Sequence, residues 1–214
     1  MRYDRERIGR VHVITDTVIQ ERFGHDELAR LAIAGGAGAI QLRDKRLAHE
    51  DLVTAARKTL AVCRREGTPL IVNDNVAVAA EVGADGVHLG REDASIGEAR
   101  AILGPAAVIG GSAGSVDDAL AVEDEGADYI GFGHIYETGS KGKKGPPVGL
   151  DALRQVCEAV AIPVIAIGGI TAETAGDVIN AGAWGVAVIG AVCGSDDPEI
   201  ATRAIRAVVD FHRA

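Results

Sequence analysis

Residues 36–45 read Gly-Ala-Gly-Ala-Ile-Gln-Leu-Arg-Asp-Lys: a glycine-alanine pair, a short apolar run, then an abruptly polar end. Side chains alternate along a strand, so Ile40, Leu42 and the Asp44 backbone fall on one side and Gln41, Arg43 and Lys45 project together on the other. A strand this apolar at its start is a buried one. Two cations at its end need an anion, a carboxylate or water, because burying them unpaired costs several kcal/mol. Taken alone, the tripeptide is equally a solvated strand end with an ion pair to Asp44 or Asp51.

The same sequence of features recurs along the chain. Gly36-Ala37, Gly83-Ala84, Gly126-Ala127 and Gly182-Ala183 precede alternate apolar runs, and Pro69, Pro105 and Pro163 precede three of the others. The runs are 11–15, 39–43, 69–73, 85–89, 107–110, 128–132, 163–167 and 184–189. Their continuous Val/Ile/Leu character suits parallel strands buried on both faces. Segments 26–34, 49–66, 94–103, 115–125, 150–160, 171–181 and 197–213 have helical apolar spacing, and 75–82 makes a shorter helix. Ser115, Thr171 with Glu173, and Ser195 before Asp197-Pro198 mark helix starts. With 214 residues over eight repeats, each unit takes about 27. The expectation is an α/β fold, a single (βα)8 TIM barrel over 1–214 with its active site at the C-terminal mouth of the strands. A doubly wound sheet would carry a glycine-rich turn after its first strand, where this chain has Thr15-Asp16-Thr17.

Composition narrows the function classes. A net charge of −9 repels nucleic acid and anionic membrane, so neither is expected as a partner, and any phosphate must be gripped locally. Cys63, Cys157 and Cys193 are widely spaced in apolar contexts, which suits buried thiols of a cytoplasmic protein. No run approaches the length of a membrane span. Small-molecule substrates remain as the expected partners, and nothing in the chain speaks against a homo-oligomer.

In a barrel all strand ends share one mouth, so they can be read together. Asn73-Asp74-Asn75 follows the third strand and Gly90-Arg91-Glu92-Asp93 the fourth. Asp74 and Asp93 can pair with Arg43 and Lys45, or hold a Mg²⁺ that grips a polyphosphate. Gly110-Gly111-Ser112 permits close backbone approach and supplies a hydroxyl. Gly168-Gly169-Ile170-Thr171 and Ile189-Gly190-Ala191 open helical segments after the seventh and eighth strands, where barrel enzymes often hold a phosphate. The longest loop, Gly133 to Gly149, has the glycines of a mobile lid and carries Lys141, Lys143 and Lys144. Of the histidines, His88 reads as a packed core residue, while His134 points to the mouth, where it can exchange protons or simply hydrogen-bond.

The ordered motifs QLRDK, VNDN, GVHLGRED, GGS, YIGFGHIYETGSK, IAIGGI and GVAVIG closely resemble the thiamine phosphate synthase family over nearly the whole chain. The resemblance implies that Gln41, Arg43, Lys45, Asn73, Ser112 and Lys141 bind the pyrimidine diphosphate. It assigns Asp74 and Asp93 to Mg²⁺, and Thr138, Ser140, Gly168, Ile189 and Gly190 to the thiazole phosphate. Catalysis would rest on Arg43, Lys45 and Lys141, with His134 beside them. The chain departs from the family's pattern at His134 and Glu137, where prolines are usual, at Gly190, usually serine, and in a longer lid. His134 is similar to the sister thiazole tautomerase, which isomerises a thiazole carboxylate phosphate with a histidine as proton shuttle. That activity stands as the alternative, and a noncatalytic phosphate-binding barrel with the same pocket as a third.

Overall fold

A computed structural model of the protein describes residues 5–139 and 145–212. The strands are β1 (Val11–Thr15), β2 (Ala39–Leu42), β3 (Leu70–Asn73), β4 (Gly86–Leu89), β5 (Val108–Ala113), β6 (Tyr129–Gly133), β7 (Val164–Ile167) and β8 (Gly185–Val188). Each pairs in parallel with the next, and β8 closes on β1 through Val11↔Val186, His12↔Ala187 and Val13↔Val188. Closure excludes the doubly wound sheet, which has two open edges.

The helices are α1 (His25–Ala34), α2 (His49–Glu66), α3 (Val76–Val82), α4 (Ile96–Leu103), α5 (Val116–Asp124), α6 (Gly149–Ala159), α7 (Ala175–Asn180), α8 (Gly190–Cys193) and α9 (Pro198–Phe211). A 3-10 turn, Arg5–Ile8, precedes β1. Among the described residues no helix is long and apolar enough to cross a membrane.

The repeated Gly-Ala pairs turn out to be helix terminators. After α1, α3, α5 and α7 the glycine takes a positive φ (96° at Gly36, 68° at Gly83, 89° at Gly126, 104° at Gly182) that a side chain would resist. The alanine N–H then bonds back to the carbonyl five residues earlier: Ala37 to Ala32, Ala84 to Ala79, Ala127 to Val122 and Ala183 to Val178, at 2.9–3.4 Å. This is the Schellman closure, which satisfies carbonyls the helix itself leaves open. The next strand starts two residues after each alanine, so each pair turns the chain from the helical ring back into the barrel.

Strand alternation sorts the apolar residues into two clusters. One, including Ile40, Leu42, Val72, Val87 and Val186, lies between strands and helices; the other, including Ile14, Ile71, Tyr129 and Ile165, fills the barrel. Several expected boundaries move. β5 runs three residues past 110, carrying Ser112 within the strand. The helix expected over 171–181 begins only at Ala175, because Thr174 Oγ1 accepts the Thr171 N–H and holds 171–174 in a turn. Ser195 is not a helix cap: Asp197 caps α9 through the Ile200 N–H, and Ser195 Oγ accepts from the Asp197 N–H. Ser115 does cap α5 through the Asp118 N–H. Among the cysteines, Cys63 and Cys193 are buried and Cys157 partly so, all free.

Candidate active site

Among the described residues the mouth contains three cavities: one of about 390 Å³ lies outside β4 and β5, from Arg91 and Asp93 to Asp118, and two more are lined by the strand-end motifs. The first of these two, about 340 Å³, is lined by Arg43, Lys45, Asn73, Asp74, Asp93 and Ser112, together with His88 and the Gly90–Glu92 turn. It gathers the ends of β2 to β5 into one charged wall. Arg43 is largely buried, its side chain 14% exposed, and its Nη1 donates to Asp16 Oδ2 at 2.8 Å. The partner is therefore Asp16, at the end of β1, and neither Asp44 nor Asp51. Lys45 has both a carboxylate and water, as the strand end requires: its side chain is 64% exposed, with Nζ 3.1 Å from Asp74.

Asp74 and Asp93 face each other. Asp93 Oδ2 accepts the Gly90 N–H at 2.6 Å. Burial raises the Asp93 pKa above the usual carboxylate range, and the adjacent Asp74 carboxyl, within hydrogen-bond reach, adds to the rise. Asp74 is held there by a backbone in the left-handed region, φ 65°. Among the described residues no cluster of three or more His, Cys, Asp or Glu is placed to hold a metal. The two facing carboxylates supply oxygen ligands of the kind Mg²⁺ takes, which binds one or two carboxylates and completes its shell with water and phosphate oxygens.

The second cavity, about 290 Å³, is lined by His134, Glu137, Thr138, Gly168, Gly169, Ile189 and Gly190, with neighbouring residues of β7 and β8. Its described lining contains no Lys or Arg. The wall is backbone: α8 opens at Gly190, and the amides of a first helical turn have no partner within the helix. Gly168, at φ 104°, packs so closely on His134 that an added Cβ would lie 2.2 Å from the histidine Cβ. The backbone of residues 135 and 136 bonds to β7, with Ile135 N–H to Ile167 O at 2.9 Å and Tyr136 N–H to Gly168 O at 3.0 Å. His134 itself is buried. Ser140, Lys141, Lys143 and Lys144 lie outside the described residues.

Between the two walls, the barrel lumen leaves a small space of about 60 Å³ that touches both. It shares His88 and Ser112 with the charged wall, and Ile167 and Ala187 with the backbone wall. His88 is the packed core residue expected, buried against Tyr129, and it is hydrogen-bonded as well. Its Nδ1 lies 3.0 Å from Tyr129 Oη and its Nε2 3.0 Å from Ser112 Oγ. Room for this pair comes from two glycines: a Cβ at Gly110 would meet the Tyr129 ring at 2.2 Å, and one at Gly131 would meet His88 at 2.7 Å. Gln41 reaches the same lumen, where it hydrogen-bonds Tyr129. Its Oε1 is buried with no hydrogen-bond partner among the described residues. Deeper still, burial lowers His12 to a pKa of about 4, so it is neutral at physiological pH.

The strand-end motifs therefore come together along the two cavities, while the lumen residues were less visible in the sequence. His88 could have been found from its phase, since it alternates with the outward Val87 and Leu89. Asp16 could have been found by treating the end of β1 like the other seven.

Residues 11–192 match the family described as thiamine monophosphate synthase. A thiamine-phosphate synthase from Methanocella arvoryzae is 45% identical over 213 residues, covering 100% of this chain and 98% of that one. Another from Methanoculleus marisnigri is 50% identical over 196 residues, covering 92% and 93%. Among solved structures, thiamine phosphate pyrophosphorylase from Pyrococcus furiosus superposes with a TM-score of 0.89 at 37% identity, covering 98% of this chain and 99% of that one. With the barrel, the strand-end motifs and whole-length relatives in agreement, the chain belongs to the thiamine monophosphate synthase family.

Proposed function

We propose that the chain is a transferase of thiamine biosynthesis. It moves the hydroxymethyl-pyrimidine group from its diphosphate to the ring nitrogen of thiazole phosphate, giving thiamine phosphate and diphosphate. The observation that carries this reading is a pair of unlike cavities, one lined by charged side chains and one largely by backbone, that share lining residues with one lumen. A reaction that joins two phosphorylated rings needs two phosphate grips and one place where the rings meet.

The charged wall is the diphosphate side. Arg43 and Lys45 donate to the leaving anion from β2, and Asn73 and Ser112 add uncharged donors. Asp74 and Asp93 would hold Mg²⁺, whose chemistry is to neutralise charge on the departing diphosphate. Gln41 directs its open Oε1 toward an N–H of the pyrimidine. A buried acceptor left unpaired costs about 1–3 kcal/mol, so this atom favours a ring that brings a donor. The backbone wall, with Thr138, Gly168, Ile189 and Gly190, takes the single phosphate of the thiazole. By the family resemblance Ser140 would serve the thiazole phosphate and Lys141 the diphosphate.

In the transfer the C–O bond to diphosphate breaks and a C–N bond to the thiazole forms, the nitrogen lone pair supplying the electrons. No protein group has to gain or lose a proton at that step. The protein contributes electrostatic stabilisation of the leaving group and juxtaposition of the two rings. His134 shapes the thiazole side and does not act as an acid or base.

The direct test offers the purified protein both substrates with Mg²⁺ and separates the products by chromatography. Thiamine phosphate should form, and EDTA should abolish it. No product, or isomerisation of thiazole carboxylate phosphate in its place, would overturn the reading in favour of the tautomerase.

A further inference from the structure

Asp16 stands outside both walls, yet it is among the most constrained groups at the mouth. It directly follows β1, and its side chain is 3% exposed. Oδ1 accepts from the Val18 N–H at 2.8 Å and the Ile19 N–H at 3.3 Å, which folds the following loop around the carboxylate. Oδ2 accepts from Arg43 Nη1 at 2.8 Å. The carboxylate is thus fixed by its own loop before it meets the arginine.

Arg43 faces two ways. One nitrogen is bound to Asp16, while the side chain also lines the charged cavity. A guanidinium is planar and carries its N–H groups in a rigid fork, so anchoring one nitrogen sets the directions of the rest. Lys45 offers the contrast. Its ammonium is exposed, and its partner Asp74 is itself part of the cavity lining, so among the described residues no carboxylate holds it from behind.

We propose that Asp16 is a positioning residue: it holds the Arg43 guanidinium in the orientation that receives the diphosphate before any ligand arrives. Ordering a long side chain at binding costs affinity, and an arginine already ordered is spared that cost. This rests on the reading of Arg43 as part of the diphosphate wall. The competing role is purely structural, in which Asp16 only neutralises a buried cation and ties down the loop after β1.

The test is a double-mutant cycle on Asp16→Asn and Arg43→Ala. It is read by titration with inorganic diphosphate in Mg²⁺ and by the KM of each substrate in thiamine phosphate formation. Asparagine keeps an oxygen for the Val18 and Ile19 amides and removes the charge facing Arg43. Asp16→Asn should weaken diphosphate binding about tenfold and raise the KM of the pyrimidine diphosphate in parallel, leaving the KM of thiazole phosphate within about twofold. In the Arg43→Ala background it should do nothing further.

Losses that multiply in the double variant, equal losses for both substrates, or wild-type binding by Asp16→Asn would each overturn the positioning role. Wild-type diphosphate binding by Arg43→Ala would overturn the diphosphate wall itself, a separate and recognisable failure. If Asp16→Asn does not fold, Asp16→Ser answers the same question. A serine hydroxyl can accept from the amide two residues on but is too short to reach Arg43.

Discussion

The two walls of the mouth are built by opposite means, and in the proposed function both receive the same chemical group, a phosphate. From β2 to β5 the grip is side-chain charge, with Arg43, Lys45, Asp74 and Asp93 around one cavity. From β6 to β8 it is main chain, in a described lining built on Gly168, Gly169 and Gly190 without a Lys or Arg. A diphosphate leaving with its charge rising needs compensating charge that can be concentrated at one point. A phosphate that is only a handle needs placement, and backbone amides place it without adding flexible groups. The charged wall should therefore be broken by removing atoms, and the backbone wall by adding them.

The largest effect expected is at the carboxylates. Asp93→Ala should lower thiamine phosphate formation by more than about 10²-fold with the fold intact, since it removes one of two adjacent like charges. Activity at saturating Mg²⁺, with circular dichroism as the check on folding, measures this. Turnover undiminished in EDTA would dissolve the contrast between the walls.

Next comes Gly168→Ala, which adds a single methyl. The new Cβ would sit 2.2 Å from that of His134, at a φ of 104° that alanine resists. Use of thiazole phosphate should fall by about 10²-fold, while diphosphate binding stays near wild type.

A third effect appears in stability rather than in turnover. Asp44, beside Arg43 in sequence, turns away from the cavity to accept from Thr17 Oγ1 and the Arg46 N–H, both at 2.8 Å. Burial alone would raise its pKa, but these bonds outweigh it and bring the pKa down from 3.8 to about 2. A carboxyl depressed on folding stabilises fully above its unfolded pKa and loses that contribution as the pH falls from about 4 toward 2. Asp44→Asn should cost about 2 kcal/mol in urea unfolding at pH 7, and the difference from wild type should shrink below pH 4. A constant difference across that range would mean the contribution is not electrostatic.

The smallest effect is expected at His134. A synthase asks no proton of it, so His134→Asn should reduce thiamine phosphate formation less than about tenfold. Positioned acid-base catalysis is typically worth ~10²–10⁴-fold, so a loss of a hundredfold with binding retained would place the chemistry on the imidazole.

What could be read from the chain follows the same division. The barrel was legible because its punctuation is chemical: glycine takes the positive φ of the Schellman closures at least cost, so the Gly-Ala repeat appears in the letters. The charged wall was legible because polar residues at the end of an apolar strand have few alternatives. Two things were not. Arg43 finds its carboxylate 27 residues away, at Asp16, a pairing that barrel closure creates and local spacing does not show. The lumen pair of His88 and Tyr129 depends on missing side chains at Gly110 and Gly131, and in sequence a glycine that makes room looks like one that makes a turn.

The division of labour between the walls is tested most directly by one crossed measurement, the KM of each substrate for Arg43→Ala and Gly168→Ala in the same thiamine phosphate assay. Arg43→Ala should raise the KM of the pyrimidine diphosphate at least about tenfold and leave that of thiazole phosphate nearly unchanged, and Gly168→Ala should do the reverse. Both variants raising both constants by the same factor would contradict the account, because the mouth would then be one undivided phosphate site.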